Sequence, residues 1–146
     1  MSGKKSQKEK SLSQSEYELL ADFRYAVRQF IKFSETAAEA VGLTSNQHQA
    51  LLAVKGFPSR EVGITNGELA ERLQIKHHSA VGLVNRLEAQ NLVVRKKSDA
   101  DKREVYVFLT PRGEKLLEQL TAVHREELQN LAPQLTGVLA NLKKAK

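Results

Sequence analysis

The chain has 146 residues, of which 40% are hydrophobic, and its formal net charge is +6. This length suits one domain, or a domain completed by a partner chain, and the basic balance favours nucleic acid or an anionic membrane as partner. Because cysteine is absent, a disulfide framework, a thiolate metal site and a thiol switch are excluded. The sequence has no apolar run of about 18 residues that could span a membrane, and its first residues lack the apolar core of a signal peptide. We therefore expect a cytoplasmic protein without a membrane partner.

Residues 1–14 are rich in Lys, Ser and Gln and predict a basic flexible tail. Residues 15–43 predict an N-terminal dimerisation helix, with Ser15 as its cap and Gly42 at its end. Its apolar residues recur at helical spacing on more than one side, so the helix needs cover from two directions.

Residues 44–110 have the pattern of a winged helix-turn-helix module. Two Thr-x-x-Gln/Glu capping boxes, at Thr44 and Thr65, open helices that end near Gly56 and Leu73. The short linker between these two helices has room for a very short strand. Residues 74–76 form the turn, and the next helix runs over 77–90, with Asn91 in the left-handed conformation that ends it.

Two β-patterned runs, 92–97 and 104–109, predict a hairpin, which is the wing. Thr110 and Pro111 then begin a helix, and Pro133 is expected to break it, so that residues 111–146 form two C-terminal dimerisation helices. The predicted fold is mostly α with a small β-hairpin.

The helix over 77–90 is the expected recognition helix, the one that enters a DNA major groove. Its buried side is predicted to be Ala80, Val81, Val84 and Leu87. Gly82 lies on the opposite face and lowers helix stability by about 1 kcal/mol relative to Ala, which suggests close approach to DNA. The residues expected to contact DNA from this helix and its start are Lys76, His77, His78, Ser79, Gly82, Asn85 and Arg86.

The hairpin tip carries more positive than negative side chains. Such a loop suits DNA phosphates, with one long cation reaching into the minor groove. Asp101 and Arg103 are expected to form a local pair that shapes the loop. The wing residues expected to contact DNA are Arg95, Lys96, Lys97, Lys102 and Arg103.

The chain resembles the MarR family of bacterial transcription regulators over residues 16–142. The matching pieces are LTSNQHQALLAV (43–54), ELAERL (68–73), VGLVNRLEAQNLVVR (81–95) and DADKREVYVFLTPRGEKLL (99–117). The resemblance implies an obligate homodimer, formed by the terminal helices, that binds pseudo-palindromic double-stranded DNA. It also implies that Asp101 and Arg103 occupy the family's wing positions. Asn91 stands where the family usually has Gly, and Lys102 where Arg is commoner.

Members of that family often bind small aromatic or phenolic anions between their dimerisation helices and their DNA-binding lobe. If this chain does so, the candidate effector-binding residues are Arg24, Tyr25, Arg28 and His48. A core or surface role for these residues is equally compatible with the sequence.

Three other functions compete with this interpretation. An enzyme is disfavoured because the chain has no nucleophile elbow, no phosphate-binding Gly loop and no Cys. A metal-responsive regulator that uses His and carboxylates stays open, although no ligand cluster is evident and no cofactor is expected. A monomeric winged-helix protein that coats DNA is disfavoured by the apolar faces of the flanking helices. The sequence thus predicts a homodimeric, sequence-specific DNA-binding regulator of transcription, and the resemblance implies a repressor that a small-molecule effector releases from DNA.

Overall fold

The computed structural model describes residues 11–58, 61–100 and 103–144, which form five helices and one two-stranded antiparallel hairpin. In chain order the elements are α1 Gln14–Ala40, α2 Ser45–Gly56, α3 Asn66–Leu73, α4 His77–Ala89, β1 Val93–Lys97, β2 Val105–Leu109 and α5 Pro111–Lys144. The mostly helical fold with a β-hairpin wing is confirmed. Most of the predicted N-terminal tail, together with Asp101 and Lys102, lies outside the described residues.

Contacts divide the chain into two compact units, whose boundaries fall inside α1 and α5. The central unit is Ser34–His124, and it contains α2, α3, α4 and the hairpin. The terminal unit comprises the part of α1 up to Phe33 and the part of α5 from Arg125.

The core of the central unit joins α2, α3 and α4 to the hairpin. Leu51, Leu69 and Leu87 each come from one of the three helices and are fully buried with Val107 of β2. Ile64, in the linker before α3, accepts a hydrogen bond from the Val107 backbone N–H at 2.8 Å, which confirms a very short extended segment there. The hairpin is therefore attached to the helices through its second strand as well as its first.

The helix ends follow the local sequence signals closely. Both predicted capping boxes are present: Thr44 pairs with Gln47, and Thr65 pairs with Glu68. Asn91 has φ 60°, as predicted, and the Leu92 N–H reaches back to the Leu87 carbonyl at 2.9 Å. This left-handed residue reverses the chain after α4 and sends it into β1.

A tight junction joins the end of α4 to the start of α5. Thr110 donates its backbone N–H to the Leu92 carbonyl at 3.0 Å and its hydroxyl to the Asn91 carbonyl at 2.7 Å. The Thr110 hydroxyl oxygen also accepts the Gly113 N–H at 3.0 Å. A Cβ at Gly113 would lie 2.1 Å from the Leu92 carbonyl oxygen, so the junction closes only with glycine at this position.

Two predictions about the terminal helices are wrong. Pro133 does not break the last helix, because α5 is continuous from Pro111 to Lys144 with Pro133 inside it. Proline removes one hydrogen bond to the carbonyl of Gln129; since both residues are exposed, water can bond that carbonyl. The start of α1 is capped by Ser13, whose hydroxyl accepts the Glu16 N–H at 3.3 Å, and not by Ser15.

The terminal unit leaves many large apolar side chains exposed. Leu20 of α1 is 57% exposed and Leu139 of α5 is 53% exposed. Others in this unit are Leu12, Tyr17, Tyr25, Ile31, Leu128 and Leu142. A single chain therefore leaves uncovered a substantial part of the apolar surface that its terminal helices present.

Gly113→Ala should lower the free energy of unfolding by about 2 kcal/mol or more, because a methyl group so close to a backbone oxygen forces the junction apart. Gly67→Ala is the matched control, since the nearest atom to its new Cβ would be the Thr65 hydroxyl at 3.9 Å. Urea denaturation of both variants and the wild type measures the effect. Equal midpoints for Gly113→Ala and Gly67→Ala would contradict the close approach.

Candidate nucleic-acid interface

Helix α4 has one buried side and one polar, exposed side. Ala80, Leu83, Val84 and Leu87 are buried, so Leu83 takes the core position that the sequence analysis assigned to Val81. Val81 is half-buried because it lies on the flank of the helix, about 100° from Ala80. The residues exposed on the other side include His77, His78, Ser79, Asn85 and Arg86, and Lys76 precedes them at the N-cap.

Gly82 has no packing reason to be glycine. A Cβ built there would meet only the Arg86 guanidinium, with its nearest atom, Nη1, at 3.6 Å, which is an ordinary van der Waals contact. The helix thus carries a residue that weakens it without any compensating internal contact. This is what a site of close approach by another molecule requires.

Arg95 of β1 connects the wing to α4 and is not a freely extended cation. One of its guanidinium nitrogens, Nη1, donates to the Glu88 carboxylate at 2.8 Å. The other, Nη2, donates to the Asn85 side-chain oxygen. We call this group of Arg95, Glu88 and Asn85 the Arg95 clamp. It neutralises Glu88, which is the single acidic residue in the sequence of α4.

The other described wing cations, Lys96, Lys97 and Arg103, lie on the surface of the hairpin. Lys96 lies 5.3 Å from the centre of the Phe108 ring, close enough for a cation–π interaction. Lys97 and Arg103 are exposed. The predicted pair of Asp101 and Arg103 cannot be described, since Asp101, like Lys102, lies outside the described residues.

A groove of about 830 Å³ runs beside the exposed face of α4. One wall is the N-terminus of α2, from Thr44 to Asn46, where backbone N–H groups and the helix dipole favour an anion. The opposite wall includes Ser79, Gly82 and Arg86. Glu35 also lines the groove and opposes this positive potential at one point. The wall from α4 was predictable from the sequence, whereas the contribution of α2 was not, because the capping box at Thr44 indicates where a helix starts and not which elements lie beside it.

Two histidines are buried against each other in the central unit. The rings of His48 in α2 and His124 in α5 are 4.7 Å apart between centroids. His124 Nδ1 lies 2.7 Å from the Leu120 carbonyl oxygen, so Nδ1 carries the proton. In the neutral ring the Ser34 hydroxyl then donates to Nε2 at 2.9 Å. Burial and the neighbouring His124 both lower the pKa of His48.

The candidate effector residues are not alike in exposure. Arg24, Tyr25 and Arg28 are exposed on α1 in the terminal unit, and Tyr25 is 63% exposed. His48 belongs to the central unit and is only 3% exposed, so a ligand does not reach it without a local rearrangement.

Among the described residues no three His, Asp or Glu side chains come together where they could hold a metal ion. No helix in that part of the chain is long and apolar enough to cross a membrane.

A model of the MarR family matches residues 41–104, which contain α2, α3, α4 and the first strand of the hairpin. This central part of the chain is therefore similar to the MarR family. A relative in Thauera aromatica, named as a putative transcriptional regulatory protein for the hcr operon, is 26% identical over 113 residues, which is 77% of this chain. The chain spans 66% of the length of that relative, and 50% and 36% of two other curated relatives.

Solved structures of MarR-family proteins have the same fold along almost the whole chain. MepR, a transcription regulator of the Staphylococcus aureus multidrug efflux pump MepA, superposes with a TM-score of 0.72 at 25% identity, covering 91% of this chain and 96% of MepR. MepR in complex with DNA superposes with a TM-score of 0.68 over 92% of this chain and 96% of MepR, also at 25% identity. Both matches extend well beyond residues 41–104 to the terminal helices.

The buried His48 should make the stability of the folded chain depend on pH. The folded-state pKa of His48 lies below its ordinary value of 6.5, so protonation favours the unfolded chain. Neutral His48 contributes fully to the free energy of unfolding above pH 6.5. This contribution is lost as the pH falls from 6.5 through the folded-state pKa, and the free energy of unfolding then decreases by at most about 1.4 kcal/mol per pH unit. Urea unfolding of the wild type and His48→Leu between pH 8 and pH 5 measures it. The wild type should lose stability relative to the variant below pH 6.5; parallel curves would contradict this.

Proposed function

We propose that this chain is a homodimeric, sequence-specific DNA-binding regulator that represses transcription and is released from its operator by a small-molecule effector. The observation that carries the proposal is the exposed face of α4, which is polar and whose only carboxylate, Glu88, is paired with Arg95 of the wing. A face of this kind can approach phosphates and base edges without charge repulsion. The complex of MepR with DNA supports the same use of this fold.

The wing and the groove would supply affinity for the DNA backbone. Lys96 and Lys97 stand on one strand of the hairpin and match the phosphate charge. The N-terminus of α2 offers backbone N–H groups beside Arg86. Contacts of these kinds position the protein on DNA, whereas side chains of α4 read the bases.

Gly82→Glu should abolish specific DNA binding without unfolding the protein, because it puts a carboxylate on the face that meets phosphates and base edges. Gly82→Ala is the matched variant: it fits the protein itself and should stabilise α4 by up to about 1 kcal/mol, yet lower DNA affinity through its added methyl group. Fluorescence anisotropy with DNA selected by the wild type from a random pool measures affinity, and urea denaturation measures stability. Wild-type affinity in both variants would mean that this face does not meet DNA.

The homodimer is supported by the exposed apolar side chains of the terminal unit. Leu20 and Leu139 are more than half exposed in one chain, and surface of this kind normally marks an interface. A twofold dimer also presents two recognition helices, which is how helix-turn-helix proteins read palindromic sites. A monomeric protein that coats DNA would leave this apolar surface in water.

The combined variant Leu20→Glu/Leu139→Glu should raise the dimer dissociation constant by at least about 10-fold, which corresponds to about 1.4 kcal/mol, because it buries carboxylates in an apolar interface. Gln14→Glu/Gln134→Glu is the control, since it adds two carboxylates to the same helices at exposed polar positions. Sedimentation equilibrium measures both. A dimer of equal affinity in the two variants would refute this interface.

Release by an effector rests on the exposed cations of α1. Arg24 and Arg28 lie one turn apart with Tyr25 beside them, which suits a small aromatic or phenolic anion. Buried His48 would take part only after a rearrangement. Benzoate is a suitable probe in the same anisotropy assay: if it leaves operator binding unchanged up to millimolar concentration, this anion class is not the effector.

A further inference from the structure

The Arg95 clamp determines which atoms of Asn85 are available to DNA. Arginine has only donors, so the Asn85 atom that faces the guanidinium must be the amide oxygen, and the orientation of the amide follows from chemistry. The second bond of the guanidinium, to Glu88 at 2.8 Å, holds Arg95 in place. Glu88 and Asn85 are three residues apart on α4 and therefore neighbours on its surface. The clamp thus turns the Asn85 amide nitrogen away from Arg95.

Asn85 lies on the outward face of α4. It is exposed and follows Gly82 by three residues and His78 by seven, which places the three on one stripe opposite the buried side chains. The Arg95 side chain is 26% exposed, so it supports Asn85 from beside the helix and leaves the stripe accessible. Within the part of the chain that the structure describes, no other hydrogen bond is made by the Asn85 amide.

We propose that Arg95 is a positioning residue for base recognition, which makes Asn85 present its two amide N–H donors to the major groove. An unrestrained asparagine pairs with adenine by donating to N7 and accepting from N6. When the oxygen already accepts from a guanidinium, the adenine N6 amino group would be brought beside a positive charge. Guanine presents two acceptors, N7 and O6, and has no such donor on that edge. The inference rests on the proposed function, since it concerns how the same α4 face reads sequence.

The expected consequence is a preference for guanine over adenine at one position of each half-site. A good bidentate pair discriminates between bases by about 5- to 100-fold. Loss of the clamp should free the amide to pair with adenine and shift the preference toward adenine by a factor in this range. A role of Arg95 in backbone affinity alone would weaken all sequences alike and leave the preference unchanged.

The experiment is selection of bound DNA from a random pool by the full-length protein, followed by sequencing of the enriched sites. Arg95→Met removes the clamp, and Lys96→Met is the matched control because it removes the same charge from the neighbouring position of β1. Arg95→Met should change the guanine-to-adenine ratio at one position per half-site, whereas Lys96→Met should lower affinity at all sites and keep the ratio. Asn85→Ala should remove the preference, and adding Arg95→Met to it should change nothing further.

Asn85→Asp tests the same inference without disturbing Arg95. Asp keeps the contact with the guanidinium and puts an acceptor on the outward side, so the preference should move to cytosine, whose N4 amino group donates. This variant decides the matter if Arg95→Met does not fold. Unchanged base ratios in Arg95→Met, or an unchanged preference in Asn85→Asp, overturn the inference while leaving the proposed function intact. If the wild type enriches no sequence at all, the proposed function itself fails.

Discussion

The geometry of the exposed side of α4, the proposed reading face, depends on the close approach of Gly113 to the Leu92 carbonyl. Asn91 reverses the chain in the left-handed conformation, Leu92 is buried directly after it, and Thr110 bonds both of their carbonyls. With this junction closed, the first strand of the hairpin leaves α4 at a fixed place and the last helix begins beside it. A larger residue at position 113 would displace the strand and the helix together, because one carbonyl holds both.

The position of Arg95 is a consequence of this junction. Because β1 starts directly after the reversed turn, its third residue comes alongside the last turns of α4 and reaches both Glu88 and Asn85. The ion pair itself contributes little to stability, since both side chains are partly exposed and exposed pairs are worth at most about 1 kcal/mol. Its effect is on charge and geometry: it removes an uncompensated carboxylate from the reading face and fixes an amide there.

Features that depend on local sequence were predictable, and features that depend on distant residues were not. The two capping boxes and the left-handed Asn91 follow from a few adjacent residues, and all are confirmed. Pro133 was misjudged because its effect depends on whether the freed carbonyl is exposed, which local sequence does not state. Val81 was assigned to the core in place of Leu83, since helical spacing fixes the buried side only to within about one residue. The hydrogen bond of Arg95 with Asn85 and the ring contact of His48 with His124 could not be predicted, because they depend on how the folded chain brings separate elements together.

The division between affinity and specificity in the proposed complex follows from where the cations are held. Lys96 and Lys97 are on the hairpin without an acidic partner among the described residues. They would neutralise DNA phosphates and release the counterions bound there, so the affinity that they contribute would decrease as the salt concentration rises. Arg95 is different: with Glu88 it forms a neutral pair, so it would add little to that salt-dependent term. A wing cation that is neutralised in this way influences DNA binding mainly by arranging another side chain. The number of cations on the wing therefore overestimates its electrostatic contribution to DNA affinity in the proposed complex. Arg95 contributes instead by fixing the position of Asn85, a role that the sequence does not indicate.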